Sequence, residues 1–183
     1  MCETNCLRIG HPAPEFSAAA WDPRHPDKMD HQVSLKDFKG KWTLLFFYPL
    51  DFTFVCPTEL IHLGELNDEF KKHNCQIVAA STDSVFSHQA WAKQDTRIGK
   101  LGFPILSDMS QEVAFDYDVL HEDGIALRGA FLIDPEGILQ SITVNNLSVG
   151  RNPEELLRTL KAFQTGDLCP VNWESGEKTL GKA

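Results

Sequence analysis

FFYPLDFTFVCPTEL, residues 46–60, is the stretch from which the rest of the chain can be read. It continues an apolar run, Trp42 to Tyr48, of the kind expected for a central strand covered on both faces, and Pro49 ends that strand. After a loop crowded with aromatics comes Cys56, followed by Pro57, a residue suited to the first turn of a helix. Leu60, Leu63, Leu66, Asn67 and Phe70 then recur at helical spacing with charged residues between them. The order is strand, loop, cysteine, helix.

Working outward, Gln76 to Ser81 (QIVAAS) reads as a second buried strand. Ser84 to Lys93 reads as a helix that turns Phe86, Ala90 and Trp91 inward, and the three pieces make a βαβ unit. Phe103 to Leu106 is predicted as a short strand and Gln111 to Phe115 as a short helix. RGAFLID and ILQSITV flank the turn DPEG as a hairpin. Pro153, Glu154 and Glu155 open a last helix running through Phe163, with the acids well placed for its dipole. Helices interleaved with strands predict an α/β sandwich. Residues 21–31, WDPRHPDKMDH, read as a surface loop, and the tail from Gln164 has no period, so its Cys169 is expected on a mobile arm.

The chain has 183 residues, 42% of them hydrophobic, enough for one substantial core. No apolar run approaches the ~20 residues of a membrane helix, and the N-terminal sequence has no signal-peptide profile. A soluble, cytoplasmic protein is expected. The formal charge of -9 works against a phosphate-binding surface, so nucleic acid and membrane are not expected partners.

Five cysteines, Cys2, Cys6, Cys56, Cys75 and Cys169, are an odd number scattered through a chain that needs no covalent staples. Cys2, Cys6 and His11 lack a fourth zinc ligand. His25, His31, His62, His73, His88 and His121 form no ligand pattern and read as surface or helix-face residues. No metal or cofactor is expected. Cys75, beside an apolar strand, reads as a small core residue.

Cys56 is different because a helix start leaves N–H groups unpaired at the positive end of the dipole, which favours a thiolate. Fuller ionisation of a thiol gains roughly thirtyfold in nucleophile, about 2 kcal/mol, whereas an enzymatic acceleration of ~10⁶ needs about 8 kcal/mol. Hydrogen-bond donors must supply the rest. Thr53, three residues earlier, and Arg128, at the head of a predicted core strand, are the candidates.

The motif Pro49-x-x-x-Thr53-x-x-Cys56 resembles the active-site signature of the peroxiredoxins. STDSVFSHQAW, RGAFLID, ITVNNLSVGR and CPVNW resemble the typical two-cysteine subgroup, and the likeness covers nearly the whole chain after residue 7. The resemblance implies a thioredoxin-like fold with peroxiredoxin extensions, its central mixed sheet flanked by helices. Residues 1–163 would form that domain and 164–183 a C-terminal arm.

It also implies roles. Cys56 would be the peroxidatic cysteine, oxidised by hydrogen peroxide or organic hydroperoxides to a sulfenic acid. Thr53 and Arg128 would bind the peroxide oxygens, Pro49 would shield the pocket, and Glu59 and Arg151 would orient Arg128 in an Arg–Glu–Arg array. Cys169 would resolve the sulfenic acid of the partner subunit, giving an intersubunit disulfide that thioredoxin or a flavoprotein disulfide reductase reduces. Homodimers assembling into a ring are expected, with the aromatic loop contributing to the dimer–dimer contact.

A thioredoxin-like oxidoreductase would need a second cysteine where CPTE has Glu59, and an oligomeric holdase would not turn over peroxide. One departure matters. Peroxide-sensitive members carry a Gly-Gly-Leu-Gly insertion and a terminal helix ending in Tyr-Phe; here Arg97 to Phe103 reads RIGKLGF and the sequence after Trp173 has no such pair. Resistance to overoxidation is the expectation.

Overall fold

The structure, a computed structural model, describes residues 7–182. Its sheet is built from β1 (Ser17–Trp21), β2 (Gln32–Ser34), β3 (Trp42–Phe47), β4 (Cys75–Ser81), β5 (Ile105–Ser107), β6 (Arg128–Ile133) and β7 (Leu139–Asn145), in the spatial order β2-β1-β5-β4-β3-β6-β7. The three central strands β3, β4 and β5 run parallel, whereas β6 pairs antiparallel with β3 and β1 antiparallel with β5. A mixed sheet with helices on its crossovers is the thioredoxin-like arrangement predicted.

β3 sits inside the sheet, between β4 and β6, because its residues Leu44 to Phe47 are wholly buried and need neighbours on every side. From β3 the chain crosses to its parallel neighbour through α1 (Cys56–Lys72), and from β4 to β5 through α2 (Val85–Gln94). The first crossover puts Cys56 just beyond the C-terminal end of a central strand, where open α/β sheets commonly present ligands. The hairpin of β6 and β7 closes through Asp134, whose side chain accepts from the Glu136 and Ile138 amides, while Gly137 takes the positive φ of 86° that the turn requires.

Several details differ from the sequence reading. β1 and β2 were not predicted: SAAAW carries no β-branched residue, and β2 is only three residues long, so neither gives a local strand signal. Trp21 and Asp22 consequently leave the predicted loop and are buried, with Asp22 accepting from the Arg24 side chain and amide. In α2 the inward face is Val85, His88, Trp91 and Ala92; Phe86 and Ala90 point outward, and Phe86 is 67% exposed. His88, expected as a surface or helix-face residue, lies on the inward face of α2 and is fully buried. The short helix α3 is shifted by one residue, to Glu112–Asp116.

The chain divides into two compact units between Arg151 and Asn152, so the last helix, α4 (Pro153–Thr165), groups with the tail, where the sequence reading drew its boundary at 163/164. Asn152 caps α4 by accepting from the Glu154 and Glu155 amides, and Gly166 ends it with a φ of 67°. Within this second unit the tail is knit to itself: Leu168 and the 180–181 segment exchange backbone hydrogen bonds of 2.8 Å, Thr179 donates to Asp167, and the Trp173 ring is buried.

Candidate active site

Cys56 is the first residue of α1, with Val55 at the cap and Pro57 behind it. Its side chain faces inward and is fully buried. One helical turn on, Glu59 occupies the same face and is 3% exposed. Two arginines meet there. Arg128, at the head of β6, directs Nη1 at Glu59 Oε2 (2.6 Å) and at the Cys56 sulfur (3.6 Å), and its Nε donates to the Leu147 carbonyl (2.7 Å).

Arg151 closes the array from the segment after β7. Its amide and its Nε both donate to Glu59 Oε1 (2.7 and 2.9 Å), its Nη1 donates to the Gly129 carbonyl, and its guanidinium lies 3.4 Å over the Phe46 ring. Burial lowers its pKa to about 10 against the opposing pull of Glu59, and it stays charged at neutral pH. The neighbouring Gly150 permits this approach: a Cβ there would lie 3.3 Å from Val55 Cγ1 and within 3.6 Å of the Glu59 side chain.

Two buried guanidinium groups facing one carboxylate leave one positive charge unbalanced, a costly arrangement unless an anion completes it. Cys56 Sγ is the atom in position to be that anion. Arg151 Nη2, buried without a hydrogen-bond partner, agrees with a site short of one acceptor.

The loop between β3 and α1 supplies the remaining predicted residues. Pro49 is buried immediately after the strand. Phe52 takes a left-handed φ of 56°, a bend that costs a non-glycine residue roughly 1–2 kcal/mol and so has to be held in place. Thr53 follows, half-buried, and its hydroxyl donates to the Leu50 carbonyl at 3.0 Å. With its one proton so engaged, the Thr53 oxygen is left to accept. Thr53 also lines both open recesses beside the helix start, one with Phe52, Trp91 and Arg97 and the other with Phe54, Ile61 and His62. A further recess, of about 390 Å³, lies at the opposite end of β3 among Lys36, Lys39, Lys41 and Asp134 and is lined by no cysteine.

Residues 9–142 match the AhpC/TSA family. The chain belongs to that family. Peroxiredoxin-1 of Gallus gallus is 49% identical to it over 94% of this chain and 89% of its own length, and a thioredoxin peroxidase of Trypanosoma brucei rhodesiense is 46% identical over 94% and 89%. Among solved structures, the reduced 2-Cys peroxiredoxin of Plasmodium vivax superposes with a TM-score of 0.86 at 41% identity, covering 94% of this chain and 92% of that one. The protein is a peroxiredoxin, a thiol-dependent peroxidase of the two-cysteine type.

The other peroxiredoxin cysteines fall as follows. Cys75 lies in β4, buried, with its thiol pushed up by desolvation, in keeping with a core residue. Cys169 is partly exposed, its sulfur 3.4 Å from Thr165 Oγ1 and 3.6 Å from the Ala162 carbonyl in the last turn of α4. Cys56, Cys75 and Cys169 are free thiols. Cys2 and Cys6 lie outside the described residues, as does the zinc reading that involved them; among the described residues no cluster suits a metal. The sequence reading missed the Leu147 carbonyl, which is a main-chain group and leaves no side-chain signal, and it missed the buried set around Asp51 and His88.

Proposed function

We propose that Cys56 is the peroxidatic cysteine of this peroxidase and Cys169 its resolving cysteine. The observation that carries the first assignment is the excess positive charge buried beside the Cys56 sulfur, which favours thiolate and, equally, the negative charge that develops on a departing oxygen. The thiolate attacks one peroxide oxygen: the S–O bond forms, the O–O bond breaks, and the other oxygen leaves as water or an alcohol after taking a proton. Arg128 stabilises the charge on that oxygen, and Thr53 accepts from the hydroperoxide O–H and so sets its orientation. Sulfur is oxidised by two electrons and the peroxide is reduced by two, to hydroxide or alkoxide before protonation.

The second step pairs this sulfenic acid with the Cys169 thiol of a second subunit. The S–S bond forms, the S–O bond breaks, and water leaves with the thiol proton. A dithiol reductant of the thioredoxin kind, the donor named in the trypanosome relative, then restores both thiols by exchange. Hydrogen peroxide and small organic hydroperoxides are the substrates, and a homodimer is the working unit.

Mass spectrometry after one equivalent of peroxide tests both assignments. The expected product is a Cys56–Cys169 disulfide joining two chains, seen as a covalent dimer on a non-reducing gel. The same bond within one monomer would refute the intersubunit step, and oxidation that spares Cys56 would refute the whole reading.

A further inference from the structure

Behind the active-site loop lies a buried polar cluster that the reaction above does not use. Asp51, two residues before Thr53, is 6% exposed, and its carboxylate is fully engaged. Oδ1 accepts from the Tyr48 hydroxyl (2.7 Å), and Oδ2 meets the Ser87 hydroxyl (2.7 Å) and His88 Nδ1 (2.8 Å). The Asp51 amide donates to Asp83 Oδ2 (2.9 Å), which also accepts from Ser81. His88 Nε2 faces the Leu106 carbonyl at 3.2 Å. A carbonyl can only accept, so Nε2 carries a hydrogen, and a single proton between Nδ1 and Oδ2 closes the other contact whichever partner owns it.

Four of these bonds converge on Asp51, at the start of an otherwise strained turn. Asp51 is pinned to the segment after β4 and to α2, Phe52 takes its left-handed φ, and the Phe52 ring packs 5.9 Å from Trp91, one turn beyond His88 on α2. Thr53 comes next and Cys56 three residues later. A peptide bend that costs energy persists only where its surroundings over-determine it, and a buried carboxylate with three partners, beside an amide held by Asp83, does that.

We infer that Asp51 and His88 are positioning residues of the peroxidase: through the buried clamp on α2 they hold the Phe52 bend, and so fix Thr53 relative to the Cys56 sulfur. The inference rests on the assignment of Cys56 as the reacting thiol. It predicts that loosening the clamp harms the reaction that needs Thr53 geometry and spares one that needs only the sulfur.

The test compares two rates at Cys56 in the folded protein: oxidation by hydrogen peroxide and alkylation by iodoacetamide. Wild-type oxidation at Cys56 is the control; if it is absent, the functional reading fails rather than this one. Displacements of about 1 Å cost up to ~100-fold in aligned reactions, so Asp51→Ala and His88→Ala are expected to slow peroxide by roughly 10- to 100-fold, with alkylation unchanged within about threefold or faster. Asp51→Asn, whose amide can donate to a neutral His88 Nδ1 while its oxygen accepts from Tyr48, is expected to recover most of the peroxide rate. If the alanine variants do not fold, Ser87→Ala, which removes one bond to the same carboxylate, is expected to slow peroxide by about threefold and leave alkylation alone. Peroxide rates equal to wild type, both rates falling together, or an Asp51→Asn variant no faster than Asp51→Ala would overturn the proposal.

Discussion

Cys56 and Cys169 sit at opposite poles of two helices. Cys56 begins α1, at the positive end of the helix dipole, with Arg128 adding a full charge 3.6 Å from its sulfur. Cys169 lies against the last turn of α4, its sulfur near the Ala162 carbonyl and the Thr165 hydroxyl, which itself donates to that carbonyl (2.8 Å). The first environment welcomes negative charge and the second opposes it. On the proposed roles, the first holds the thiol that meets peroxide and the second the thiol that resolves it.

The comparison is broken most severely by Cys56→Ser: peroxide turnover should fall to background in a coupled reductase assay, since a hydroxyl supplies no comparable nucleophile at neutral pH. Cys169→Ser should leave the first oxidation intact and stop the cycle there, with a sulfenic acid at Cys56 that a dimedone-type probe traps and no covalent dimer on a gel. Arg128→Met should slow the first oxidation in stopped-flow by more than the roughly thirtyfold that thiol ionisation explains, about 2 kcal/mol, and the loss should persist at alkaline pH. Full recovery there would reduce Arg128 to a tuner of the sulfur's charge.

Smaller effects sharpen the contrast. With RIGKLGF at residues 97–103 in place of the insertion of peroxide-sensitive relatives, activity should survive repeated peroxide additions with little Cys56 sulfinic acid by mass spectrometry. Cys75→Ser should change neither oxidation nor dimer formation: burial raises the Cys75 thiol pKa, so it stays protonated and unlabelled by iodoacetamide while the protein is folded.

What the sequence made legible was whatever had a local cause. Trp42 to Phe47 announces a central strand by its unbroken apolarity, and Pro57 with the 60-63-67-70 spacing announces α1, so the place of Cys56 could be read directly. β1 could not, because the alanines of SAAAW locally favour helix over strand, and pairing with β2 and β5 is what makes them a strand. The inward face of α2 was misread because Phe86 looks more like core than His88. The reverse holds because Asp51, 37 residues earlier, gives the histidine a buried partner. A motif names residues that meet substrate; it carries no sign of the distant groups that hold them.

The Arg–Glu–Arg array also bears on how the molecule comes into being. Arg128 is 72 residues from Cys56, and Arg151 is 92 from Glu59, so the charge cluster closes only after the hairpin of β6 and β7 has docked on β3. Contacts of such long sequence separation form late in folding. On the proposed role of Cys56, a chain that has not yet docked this hairpin lacks the Arg128 contact and should react more slowly with peroxide. Reactivity switches on with the final sheet, which makes the peroxide rate itself a clock for the last step of refolding.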